Sequence, residues 1–168
     1  MDSPAVLADA FGRVREAVHE AVEGLGREEL AHRPGGGANS IAWLVWHLTR
    51  VQDDHVAEAA GREQVWTAQG WAQRFALPFD DAATGYGQSS TEVGAVRADA
   101  EALLGYHDAV HEQTVDVLRS TGEADLDRVV DDSYDPPVTL GVRLVSVVGD
   151  DLQHAGQAAY ARGLFDRG

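Results

Sequence analysis

Residues 147–157 read VVGDDLQHAGQ and set Asp150 and His154 four positions apart, in what the flanking pattern predicts as the last long helix. Side chains at i and i+4 stand one above the other on a helical face, so a carboxylate and an imidazole so arranged can hold one divalent cation. Neither group suits an apolar core without such a partner. Upstream, Thr139 caps this helix, and Leu140, Leu144, Val147 and Val148 give it an inward side that Asp150 and His154 continue. The small residues 155–159 let a neighbouring helix come close. A second stretch, SIAWLVWHLTRVQDD at 40–54, carries His47 on the apolar side of an earlier helix, between Leu44 and Val51. His47, Asp150 and His154 are therefore the candidate metal ligands, although a lone histidine on an apolar stripe also reads as ordinary core packing.

Working outward, Ser3 and Pro4 look like an N-cap and first-turn pair. Leu7, Phe11, Val14, Val18, Val22 and Leu25 then recur at spacings of three and four, predicting an amphipathic helix that ends around 24–26. His19 lies beside this stripe as a packing or solvated residue. The glycine run in PGGGANS reads as a connector, since no strand precedes it and no lysine follows. Asn39 or Ser40 caps the second helix, whose Ile41, Leu44, Leu48 and Val51 are inward. Trp43 and Trp46 belong to core and rim. Arg50, Asp53 and Asp54 read either as solvated charges or as support around a site.

Between 61 and 90 the period is lost while tryptophan, phenylalanine, glycine and proline accumulate. This predicts a short helix near 67–75 and a loop packed over one end of a bundle, an arrangement that often covers a site. Ser89 and Glu92 form a capping box expected to open the third helix. That helix runs through Val93, Val96, Ala100, Leu103, Leu104, His107, Val110, Thr114 and Val117. His107 and His111 share the i, i+4 spacing and compete with the first candidate site. Residues 125–137 form an acidic connection with an extended piece at 128–130, and they lack the glycine and spacing of a calcium loop. The expected fold is all-α, a four-helix bundle with a long aromatic excursion between its second and third helices.

At 168 residues the chain is expected to be one domain, 1–168. Its start lacks the basic and apolar pattern of a signal peptide, and no apolar run is long enough to cross a membrane, so a cytoplasmic protein is expected. The absence of cysteine removes disulfides, thiolate metal sites and cysteine nucleophiles. All 13 basic residues are arginine, with a single isoleucine and a single asparagine, a bias that suggests a high-GC bacterial genome. That genome bears on which thiol cofactor would be at hand.

WHLTR and DDLQHAGQ are also the anchors of a resemblance: the chain is similar to the DinB/YfiT-like superfamily of metal-binding four-helix bundles. His154, Gly156 and Gln157 match a family pattern in which a histidine is followed by a residue, glycine and glutamine. Asp150 stands where an earlier histidine is usual. That set resembles the histidine, glutamate, histidine ligands in the N-terminal metal-binding domain of mycothiol-dependent maleylpyruvate isomerases. Those isomerases carry a further C-terminal domain, whose substrate contacts are expected to be absent or supplied otherwise here.

The resemblance implies a divalent metal, zinc or nickel, and mycothiol or another low-molecular-weight thiol. The implied activity is that of a transferase or isomerase acting on a small electrophile, with Arg50 and Gln157 orienting thiol or substrate. Packing and surface roles for Arg50 and Gln157 remain open, as does a non-catalytic, stress-related bundle that holds metal or ligand without turnover. The expected partners are the small thiol and electrophile, with a homodimer as the assembly considered. Neither nucleic acid nor membrane is expected, because a net charge of −15 repels both. A fluorescence anisotropy titration with duplex or single-stranded DNA at about physiological salt should give no sub-micromolar binding.

Overall fold

The computed structural model describes residues 1–166. Four long helices make the bundle: α1 (Ser3–Val22), α3 (Ile41–Ala60), α7 (Ala100–Arg119) and α8 (Leu140–Asp166). They pack in the cyclic order α1, α7, α3, α8. A short α2 (Arg27–Ala31) and a 3-10 turn at Pro34–Gly36 link the first two long helices. The excursion carries α4 (Val65–Ala68), α5 (Trp71–Phe75) and α6 (Ser90–Ala95). A two-stranded antiparallel ribbon, β1 (Val129–Asp131) with β2 (Val138–Thr139), leads into α8. No helix among the described residues is long and apolar enough to cross a membrane.

The ends of these helices follow side-chain chemistry. Asp2, rather than Ser3, caps α1, its carboxylate accepting from the Ala5 amide at 3.0 Å. Ser3 is already helical and ties the start of α1 to Glu123 through its amide and hydroxyl, both at 2.9 Å. Ser40 caps α3, and Gly61 ends it in the left-handed region at φ 63°, where a side chain would be strained. The Ser89–Glu92 capping box is present, but it opens only α6. The chain becomes extended at Val96, and α7 starts afresh behind an Asp99 cap. The third long helix therefore begins later than its apolar stripe suggested, and Val93 and Val96 reach the core from outside it.

The interior consists of two apolar clusters, one around Val14, Leu44, Trp46 and Leu103, the other around Phe11, Val56, Leu144 and Val147. Gln52, Thr114 and Asp151 fall between them on α3, α7 and α8. The Gln52 amide donates to Thr114 Oγ1 at 2.8 Å, while Gln52 Oε1 and both Asp151 oxygens have no protein partner. His107 is also fully buried. Thr49 donates its hydroxyl proton to Val45 O, so His107 Nδ1 must donate to Thr49 Oγ1, at 3.0 Å.

Burial pushes His107 down to about 3, and the neighbouring His111, His19 and Arg15 act in the same direction against Asp108. The folded state refuses a proton that the unfolded chain accepts near pH 6.5. The contribution is therefore complete above about pH 6.5 and is lost as the pH falls toward the folded value, by about 1.4 kcal/mol per pH unit. Urea unfolding of the protein and of His107→Gln at pH 7.5, 6 and 5 should show the wild type losing stability more steeply by about that slope.

Candidate metal centre

α3 presents His47, and α8 presents Asp150 and His154, across the seam where these helices pack. One ligating atom from each lies within 4.8 Å of the others. Small side-chain rotations bring such a group onto one ion with bonds of about 2.0–2.2 Å. Among the described residues this is the one group of three or more such side chains. His107 and His111 sit together on α7, and among the described residues no third histidine or carboxylate completes a set with them.

The hydrogen bonds leave the right atoms free. His47 Nδ1 meets the Thr84 carbonyl at 2.5 Å, and His154 Nδ1 meets the Asp150 carbonyl at 2.9 Å. A carbonyl only accepts, so both rings carry their proton on Nδ1 and keep an Nε2 lone pair for a ligand. Oδ2 of Asp150 is buried, makes no hydrogen bond and lies 3.5 Å from His154 Nδ1, so it has coordination capacity that a cation would satisfy. Burial lowers the His47 pKa; Thr84 and Asp150 oppose this and His154 adds to it. The ring is thus kept in the neutral form that binds metals. These residues fit a divalent ion.

The excursion fixes His47. Its ring stacks on Trp43, with centroids 4.5 Å apart and planes inclined by 17°, and meets the His154 ring nearly edge-on at 4.7 Å. Gly85, next to Thr84, adopts φ 96°, and a Cβ there would stand 2.7 Å from His47 Nδ1. Only glycine lets the loop backbone come this close. Trp43 Nε1 secures the far side of the loop by donating to Gln88 Oε1 at 2.8 Å.

Arg50, expected to orient a thiol or substrate, is fully buried and gives its hydrogen bonds to the excursion and, at 3.4 Å, to the Tyr106 hydroxyl of α7. It donates to Ala83 O at 3.1 Å, Asp81 O at 3.2 Å and Gln64 Oε1 at 2.7 Å. Its effect on the centre runs through this loop, one residue from the carbonyl that holds His47. Asp53 is buried beside it, so neither belongs to a solvated cluster. Gln157 is exposed one turn beyond His154 and borders a cavity it shares with Leu44.

Three positions escaped the sequence reading. Thr84 acts through its backbone and carries no side-chain signal. Gly85 is one of several loop glycines. Asp151 had a signal: Leu140, Leu144, Val147, Asp151, Ala155 and Ala158 form one helical stripe that Asp150 and His154 flank. The acid in the core is Asp151, and burial, with the adjacent Asp150, raises its pKa well above the usual carboxylate range. Asp150 and His154 instead sit half-buried at the α3 seam.

Residues 10–158 match the model of the family described as the DinB superfamily. A crystal structure of a conserved protein of a locus from Enterococcus faecalis is similar over 96% of each chain, with a TM-score of 0.89 and 29% identity. Comparison with curated proteins gave no match.

Gly85→Ala and Gly87→Ala separate backbone strain from contact with the histidine, because a Cβ at Gly87, φ 72°, meets nothing within 4 Å. Urea unfolding should show each losing about 1–3 kcal/mol. Calorimetric zinc titration should show only Gly85→Ala losing affinity, by about 10- to 100-fold.

Proposed function

Because the chain belongs to the DinB superfamily over residues 10–158, we propose that it holds a divalent cation on His47, Asp150 and His154 and works with a small thiol. The observation carrying this reading is the convergence of two Nδ1-protonated imidazoles, one from each helix, with a buried carboxylate oxygen of α8 that makes no hydrogen bond. Zinc or nickel suits two imidazoles and one carboxylate, and three protein ligands leave a position open. A cation there supplies positive charge that favours the thiolate form of a bound thiol.

The chain's own residues support this in distinct ways. Thr84 fixes the His47 tautomer, and the burial of His47 keeps it neutral. Arg50 positions the loop that carries Thr84. This reading assigns the ligand contact to Gln157, exposed one turn beyond His154 and lining the neighbouring cavity. With no cysteine in the chain, the sulfur nucleophile comes from outside, as mycothiol or another low-molecular-weight thiol. The reaction is transfer of that thiol to a small electrophile, or an isomerisation through a transient adduct.

His47→Ala and His154→Ala should each lower zinc affinity by more than about 100-fold in calorimetry, while circular dichroism keeps the helical signal. Thiol binding to the metal-loaded protein should disappear with the metal. Asp150→His should keep a metal while changing the charge of the site. If mycothiol, glutathione and 2-mercaptoethanol all fail to bind loaded wild-type protein, the centre is non-catalytic, and its metal serves stability or ligand storage.

A further inference from the structure

Beside the centre lies a cavity of about 480 Å³, between the start of α3, the C-terminal half of α8 and the connector after α2. Its size is that of sites for small organic ligands. Leu44 lies three residues before His47, and Gln157 three residues after His154, so the cavity opens one turn from both imidazoles. Its floor and walls include Leu44, Ala38 and Ala161. Its polar groups are neutral, chiefly the amides of Gln153 and Gln157 and the hydroxyl of Tyr160. Among the described residues no charged side chain lines it, in a chain whose net charge is −15.

Gly156 lies on the α8 wall of this cavity and is exposed, and like Gly149 and Gly163 of the same helix it has room for a side chain. It lies inside α8, where glycine is less favourable than alanine by about 1 kcal/mol. Packing does not require it, since a Cβ there would meet nothing within 4 Å. What its missing side chain leaves is open space in the cavity wall.

We propose that this cavity seats an uncharged, largely apolar carbonyl compound, with its body on Leu44 and Ala161 and its oxygen on the Gln153 or Gln157 amide. A charged ligand would lose hydration there without meeting a counter-charge. An amide N–H, by contrast, satisfies a carbonyl. This compound is the electrophile of the metal-centred reading, on which the inference rests for its chemistry but not for its binding.

The test uses the full chain stripped of metal by chelation. Calorimetric titration with 4-phenylbut-3-en-2-one, an uncharged enone, is compared with titration by cinnamate, its carboxylate counterpart. The enone should bind at least about tenfold more tightly. Gly156→Leu fills the cavity and should weaken enone binding at least about tenfold, with a melting temperature equal to or above wild type. Ala38→Trp, in the exposed connector, should do the same from the opposite wall. Absence of enone binding, equal binding of cinnamate, or unchanged binding in both folded variants would overturn the assignment. A parallel zinc titration keeps the two readings apart. Failure of zinc to bind would sink the metal-centred function and leave the enone result standing.

Discussion

The organisation of the site depends on a charge pair that never meets water. Arg50 and Asp53 are both fully buried on α3, with Nη1 and Oδ2 3.8 Å apart. Asp53 accepts from the Val65 and Trp66 amides at 2.9 and 2.8 Å, and from the Tyr106 hydroxyl at 2.8 Å. It thereby satisfies the first amides of α4 and links α3 to α7. Arg50 faces the Trp66 ring at 5.0 Å and holds the loop carbonyls at Asp81 and Ala83. Desolvating two charges is expensive, and removing either partner of such a pair costs about 3–5 kcal/mol. The excursion is thus built around this pair and is not simply draped over the bundle.

On that foundation, α8 serves two surroundings with consecutive residues. Asp151 points into the layer of Gln52 and Thr114 that divides the two apolar clusters, whereas Asp150, about 100° away around the helix, reaches the α3 seam. Two adjacent acids therefore have different surroundings. Burial drives one toward its neutral form; the other keeps an oxygen available to a cation. His154 follows Asp150 by one turn, and its ring is locked by the carbonyl of the same residue. Two of the three candidate ligands are thereby contained in a single helical turn, and His47 completes the set from α3.

The bundle was legible because long amphipathic stripes survive in α1, α7 and α8, and the i, i+4 pair on α8 was legible by spacing alone. α3 was harder, because every residue of its first half is buried and only Asp54, His55 and Glu58 mark an outer face in its second half. Arg50 and Asp53 look like surface charges in a one-dimensional reading, and only the packed excursion makes them internal. The start of α7 was misplaced because Val93 and Val96 continue its apolar rhythm from a separate short helix. Thr84 and Gly85 were beyond reach for another reason: one contributes a carbonyl and the other the absence of a side chain. Neither contribution has a residue-type signature.

The contact between Thr84 and His47 also has a kinetic meaning. While the carbonyl is in place, the imidazole has one tautomer and offers one nitrogen. When the loop lifts, Nδ1 loses its acceptor, and the proton can exchange between the two nitrogens. Lifting residues 81–84 also breaks the carbonyl bonds made by Arg50, so the segment opens as a unit against a buried charge. The tautomer of His47 is thus coupled to the seating of residues 81–84, because the same segment carries the Thr84 acceptor and the carbonyls that Arg50 holds.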